Sequence, residues 1–124
     1  AQVNGVNGLI FLQDYWKCPK GITFKSGHHS DEGVDYYSQH QTFTVEQWEK
    51  LETAGAIFLP AAGYRFGTTI YEVQYGGYYW ATYNYRYGNS LHKFVSNGAF
   101  VTYYDIAGDG FNHGYSVRLV KDLN

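Results

Sequence analysis

The sequence predicts an α+β fold in which one well-capped helix early in the chain is followed by short antiparallel strands with long Gly-rich loops. Three observations carry this. A capping signature at Thr44 opens a single amphipathic segment. From Gly63 onward, short apolar or aromatic runs alternate with Gly-containing breaks. At 124 residues and 44% hydrophobic, the chain is long enough for one domain with a core of its own.

Taken in order, Ala1 to Gly8 is polar and Gly/Asn-rich and reads as a tail or linker, which places the single domain at residues 9–124. Leu9-Ile10-Phe11-Leu12 is an apolar strand stopped by Gln13-Asp14. Trp16, Ile22 and Phe24 belong to an irregular stretch punctuated by Pro19 and Gly21. Lys25 to Gln41 has no apolar period and reads as a loop.

Thr44 is the expected N-cap, with Gln47 closing a capping box and Phe43 and Trp48 forming a hydrophobic staple. Val45, Trp48 and Leu51 fall on one helical face, and Gly55 is placed to take the left-handed cap. Ala56-Ile57-Phe58-Leu59 is apolar without alternation, as in a strand covered on both faces. Further strands are expected over Thr69 to Val73, Tyr78 to Tyr83, Ser90 to Val95, Ala99 to Tyr104 and Tyr115 to Val120. Asn97-Gly98, between Phe94-Val95 and Phe100-Val101, is the strongest hairpin signal.

Composition bears on function. Aromatic residues reach 20% and charged ones only 16%. Eleven of the 14 tyrosines lie between Tyr64 and Tyr115, among Gly, Asn, Ser and Asp. That mixture is what binding loops favour, because Tyr offers a large amphipathic face at low conformational cost. A net charge of -2 argues against non-specific nucleic-acid binding. The longest apolar run, Ala54 to Ala62, is broken by Gly55 and Pro60 and is far short of a bilayer span. Ala1-Gln2-Val3 does not begin a signal peptide, so the chain reads as a mature or excised piece of a longer protein. Cys18 stands alone, which excludes a disulfide framework and reads as a small buried hydrophobe.

The expected ligand-binding face gathers Tyr83, Asn84, Tyr85, Tyr87, Asn89, His92, Tyr103, Tyr104, Asp105, Asp109, Phe111, Asn112 and His113. Tyr83, Tyr85 and Tyr87 alternate with smaller or polar residues and share one side if extended. Phe111-Asn112-His113, between Gly110 and Gly114, suits an exposed loop tip. Tyr78, Tyr79 and Trp80 read instead as core.

His28, His29, Asp31, Glu32 and Asp35 are dense in metal-ligand types but lack a metal-site spacing and read as a solvated loop. Asp105 to Gly110 offers too few oxygens for a calcium loop. No nucleophile elbow or phosphate loop occurs. Arg65 and Arg118, in apolar segments, are expected to pair with a carboxylate or with backbone carbonyls inside the fold. No catalytic residue, metal or cofactor is expected.

Several blocks occur in a familiar order. Asn7-Gly8-Leu9-Ile10, Asp14-Tyr15-Trp16, Pro19 and Gly21 come first, then Thr44-Val45-Glu46-Gln47-Trp48 and Ala54-Gly55-Ala56-Ile57-Phe58-Leu59-Pro60-Ala61-Ala62-Gly63-Tyr64-Arg65. Gly77-Tyr78-Tyr79-Trp80 and Gly114-Tyr115-Ser116-Val117-Arg118-Leu119-Val120 complete the series. Together they resemble the Fibrobacter succinogenes major paralogous domain of gut Bacteroidetes surface proteins. The second half also resembles the variable proteins of diversity-generating retroelements.

The resemblance implies a C-type-lectin-like fold whose ligand-contacting positions are diversified. Tyr83 to His113 is rich in the residues such diversification produces. Ala81-Thr82 departs from the Ser-Ser or Ser-Thr that usually follows the Trp. The Glu-Pro-Asn or Gln-Pro-Asp signature of calcium-dependent lectins is absent, as are the paired cysteines of formylglycine-generating enzymes.

The expectation is an extracellular or cell-surface module, on a bacterium or phage particle, that binds a protein or glycan without catalysis. It would sit within a larger chain or assembly, with no nucleic-acid partner and no membrane insertion of its own. A pilus or surface-layer subunit packing through the same face is the alternative, and a carbohydrate-active enzyme a weaker one.

Overall fold

The computed structural model describes residues 1–25, 41–85, 88–94, 100–103 and 113–118, with residues 81–103 followed along the backbone alone. Among the described residues it is a small mixed fold of one helix and several short-stranded sheets, whose strands pair antiparallel except for Gln2–Val3 with Thr42–Phe43.

The first sheet has the order β3-β1-β2-β4, where β1 is Gln2–Val3, β2 is Val6–Phe11, β3 is Thr42–Phe43 and β4 is Ile57–Pro60. Residues 1–8 are therefore sheet rather than tail. Asn4 and Gly5 both take left-handed φ values, 48° and 78°, as a type I′ turn requires. They fold β1 back on β2, while β1 pairs parallel with β3, setting Val3 beside Phe43. Pairing with a partner some 40 residues away overrides the polar composition of the segment.

The helix α1, Val45–Thr53, carries the expected capping box. The Gln47 N–H donates to the Thr44 hydroxyl at 3.3 Å and the Thr44 N–H to Gln47 Oε1 at 3.0 Å. Glu46 in the first turn is held below the usual carboxylate range by its own backbone N–H and by Thr44. The helix ends in a Schellman motif: Ala56 N–H donates to Leu51 O at 3.0 Å and Gly55 N–H to Glu52 O at 2.9 Å, with Gly55 at φ 97°. Val45, expected on the inner face, is exposed; Leu51 carries that face with no surface in water.

β2 and β4 pair antiparallel, Leu9 opposite Leu59 and Ile10 opposite Phe58, and their alternation splits the core in two. On the helix side, Val3, Phe43, Leu51 and Ala56 are buried among Ile10, Phe58, Trp48, Phe24 and Trp16. On the other side, Leu59, Ala61 and Tyr79 pack with Leu9 and Phe11. Both faces of β4 are thus covered, as its unbroken apolar run implied.

Two three-stranded sheets complete the described chain. One has the order β10-β5-β6, with β5 Tyr64–Phe66, β6 Thr69–Tyr71 and β10 His113–Gly114. The other is β7-β8-β9, with β7 Gly77–Tyr85, β8 Gly88–Phe94 and β9 Phe100–Tyr103. β8 and β9 pair antiparallel with Phe94 opposite Phe100; the turn expected at Asn97-Gly98 lies outside the described residues.

Three further expectations change. Cys18 is exposed, its thiol donating to Ile22 O at 3.2 Å, because it lies in the irregular stretch and not in an element facing the core. Arg65 and Arg118 are also exposed, so neither guanidinium needs an internal partner. In the expected strand Tyr115 to Val120, described residues 115–118 make a single bridge, Ser116 to Tyr79, and Val117 is exposed.

Candidate binding site

The short β5–β6 hairpin turns at Gly67-Thr68, and cross-strand partners share a face, so Tyr64 meets Tyr71 and Arg65 meets Ile70. β10 adds His113 opposite Phe66. By alternation, the Tyr64 and Phe66 positions lie on one side of β5, and the next row is completed by Tyr115 just past β10.

The rings on this side touch in series. Tyr64 stacks on Tyr71 at 5.4 Å and Phe66 on His113 at 4.9 Å. Tyr115 stacks on His113 at 5.6 Å and on Tyr78 at 5.9 Å, and meets Trp80 edge-on at 4.8 Å. Tyr64 also meets Tyr78 edge-on at 4.8 Å. These separations are in the range where aromatic pairs contribute beyond simple burial. The cluster grades from buried Tyr78, through half-buried Tyr64, His113 and Tyr115, to Phe66 at 48% and Tyr71 at 42% exposed.

The buried end is tied down by polar contacts. The Tyr78 hydroxyl donates to Glu72 Oε2, and desolvation together with this bond pushes the Tyr78 phenol well above its ordinary range. Burial also pushes Tyr79 up to about 12, partly offset by Arg118; its hydroxyl donates to Pro60 O at 2.7 Å. Tyr115 is raised by burial and by Tyr64.

Glu72 and Gln74 both hold left-handed φ values, 57° and 66°, in the turn that leads from β6 to β7. Gln74 anchors that turn to the N-terminal hairpin. Its Oε1 accepts from the Asn7 N–H at 2.7 Å, its carbonyl accepts from Asn7 Nδ2 at 2.9 Å, and its own N–H donates to Ala61 O at 2.7 Å. Positive φ at two non-glycine residues is strain that such a network sustains.

Of the expected ligand-binding residues, Tyr83, Asn84 and Tyr85 lie on β7, Asn89 and His92 on β8, and Tyr103 on β9, within one sheet. The register pairs Asn84 with Asn89, Tyr79 with His92 and Leu91 with Tyr103. An irregularity between Ala81 and Asn84 interrupts the simple alternation expected for the tyrosines of β7. Tyr87, Tyr104, Asp105, Asp109, Phe111 and Asn112 lie outside the described residues, as do His28, His29, Asp31, Glu32 and Asp35. His113 is not a loop tip: it is a strand residue, half-buried between rings. Tyr78 and Tyr79 are core, as expected.

The sequence reading missed Tyr64, Phe66 and Tyr71 as surface partners of His113. The available signal was Tyr64-Arg65-Phe66 and Thr69-Ile70-Tyr71 flanking Gly67-Thr68, alternating segments around a two-residue turn. Away from the cluster, an open groove of about 560 Å³ is lined by Lys17, Pro19, Glu49, Lys50, Thr53 and Ala54. Its charges are two ammonium groups and one carboxylate, and it contains no aromatic ring. Among the described residues, no three His, Cys, Asp or Glu side chains gather to hold a metal, and no helix is long and apolar enough to cross a membrane. No family model, curated protein or solved structure matches this chain.

Proposed function

We propose that this chain is a non-catalytic binding module, of C-type-lectin-like type, that recognises a protein or glycan at a bacterial or phage surface through its Tyr-rich face. The observation that carries the reading is the graded ring cluster: Phe66 and Tyr71 expose ring surface while Tyr64, Tyr78 and His113 hold them from behind. Rings fixed before contact lose little freedom on binding, so more of their contact energy remains as affinity. Each such anchor contributes about 1–4 kcal/mol when a partner covers it.

The test is binding of the domain to arrayed oligosaccharides and displayed cell-surface proteins, before and after substitution. Phe66→Ser with Tyr71→Ser is expected to abolish capture at a cost of about 1–3 kcal/mol per site, since each ring is also stacked on a neighbour, with the chain still folded by its unfolding transition. Tyr85→Ala with Tyr87→Ala is expected to weaken capture separately. A captured ligand indifferent to both pairs refutes the reading.

A further inference from the structure

We propose that Asn4-Gly5 is a site of spontaneous covalent modification: the folded chain converts Asn4 through a cyclic imide to aspartate or isoaspartate, while Asn7-Gly8 is spared. The inference is independent of what the aromatic face binds. Both pairs set a side-chain amide before a residue with no Cβ to obstruct attack by its own nitrogen. The third such pair, Asn97-Gly98, lies outside the described residues. Sequence alone does not rank the first two. Their surroundings do.

The reacting groups of Asn7-Gly8 are all held. Asn7 Oδ1 accepts from Gln2 Nε2 at 2.9 Å, Asn7 Nδ2 donates to Gln74 O at 2.9 Å, and the Gly8 N–H donates to Ala1 O at 2.9 Å. The Asn7 carbonyl accepts from the Ala61 N–H at 2.7 Å. Gly8 is buried in β2, where an added Cβ would stand 2.4 Å from Leu59 O, so this peptide has no room to turn. At Asn4-Gly5, two anchors flank a free peptide instead. The Asn4 N–H donates to Phe43 O at 3.0 Å, and Gly5 O accepts from Gln74 Nε2 at 3.4 Å. Between them, the Asn4 side-chain amide, the Asn4 carbonyl and the Gly5 N–H have no partner among the described residues. Both residues are exposed, and a Cβ added at Gly5 would meet nothing within 4 Å.

That free peptide controls the reaction. A five-membered imide closes only where the Gly5 nitrogen eclipses Asn4 Cβ about the Cα–C bond, which tetrahedral carbon sets at ψ of about −120°. A type I′ turn holds ψ at about 30° there, whereas a type II′ turn has ψ of about −120° at the same position with φ unchanged. Turning one peptide plane interconverts the two. The turn of the plane reverses the sign of φ at Gly5, which glycine permits, and it breaks no hydrogen bond. Asn in that geometry is strained and populated on the order of one part in a hundred. The flip is far faster than imide chemistry, so this minor population is replenished as it reacts.

In the reaction the Gly5 N–H gives its proton to hydroxide, and the nitrogen bonds to Asn4 Cγ as the Cγ–Nδ2 bond breaks. The leaving nitrogen takes a proton from water and departs as ammonia. Water then opens the imide, at Cγ to give aspartate or at the backbone carbonyl carbon to give isoaspartate, with no change of oxidation state. Either product adds one negative charge to a formal net charge of -2, so ion exchange separates it.

The test incubates the folded chain in mildly alkaline buffer beside the same chain in urea. Peptide mass mapping, with fragmentation that tells aspartate from isoaspartate, follows both positions. Asn4 is expected to convert in the folded chain, Asn7 at least about tenfold more slowly, and urea should bring the two rates together. Asn4→Gln, whose longer side chain would need a six-membered ring, should remove the change at that position. Equal rates at Asn4 and Asn7 in the folded chain overturn the proposal, as does an Asn4 that stays intact while folded.

Discussion

Replacing Gly63 by Ala should destabilise the chain far more than the same change at Gly67, and the difference isolates one steric overlap. Both glycines occupy the left-handed region, at φ 68° and 60°, so a penalty of about 1–2 kcal/mol is common to the two. Their surroundings differ. A Cβ at Gly67 would meet nothing within 4 Å, whereas at Gly63 it would lie 2.0 Å from Tyr71 O, 2.8 Å from Val73 N and 2.9 Å from the Glu72 carbonyl carbon. Carbon and oxygen approach no closer than about 3.3 Å without repulsion, so the backbone of residues 71–73 would have to retreat by more than about 1 Å.

That backbone is not free to retreat. Tyr71 is paired with Tyr64, Gln74 N–H donates to Ala61 O at 2.7 Å, and the Gly63 N–H donates to Gly76 O at 2.8 Å. Overpacking of about 1–3 kcal/mol and the loss of one or two of these bonds, about 1 kcal/mol each, add to the shared term. Gly63→Ala should therefore cost about 3–7 kcal/mol and Gly67→Ala about 1–2 kcal/mol. Urea unfolding of the two variants measures both, provided the m-value is unchanged. A difference below about 1 kcal/mol would refute the claim that Gly63 lies packed beneath the turn that carries Tyr71 and Glu72.

Two further outcomes follow from the core. Leu51→Ala should cost about 2–5 kcal/mol in the same assay, because Leu51 has no exposed surface and is enclosed by Val3, Phe43 and Ala56; a loss under about 1 kcal/mol would mean the site collapses freely. In alkali, Tyr79, raised from an ordinary value near 10 to about 12, stays neutral in the folded chain after it would ionise in the unfolded one. Its stabilising effect is complete below about pH 10 and is lost as pH rises toward about 12, so tyrosinate absorbance should show a late-titrating class that ionises together with unfolding. Titration of every tyrosine near 10 with the fold intact would contradict the burial of Tyr78 and Tyr79.

Local chemistry made the helix readable: Thr44, Gln47 and Gly55 specify their caps from within the segment they cap. The strand Ile57–Pro60 was readable for a similar reason, since its run of apolar residues has no polar face to leave in water. The N-terminal strands were misread by composition, although Asn4-Gly5 between Val3 and Val6 is the same turn signal as Asn97-Gly98. What composition could not supply was Phe43, the distant parallel neighbour of Val3.

The aromatic site fails to show for a related reason. Its rings come from positions 64, 66, 71, 78, 80, 113 and 115, on strands of two or three residues for the most part, too short to display a period. A count of tyrosines suggests binding but does not say which rings bind. Tyr78 and Tyr79 spend their hydroxyls on Glu72 and Pro60 and are buried, whereas Tyr71, stacked on Tyr64, keeps ring surface in water. Burial and a bonded hydroxyl together mark Tyr78 and Tyr79 as support and the exposed Tyr71 as surface, a distinction that a count of tyrosines cannot make.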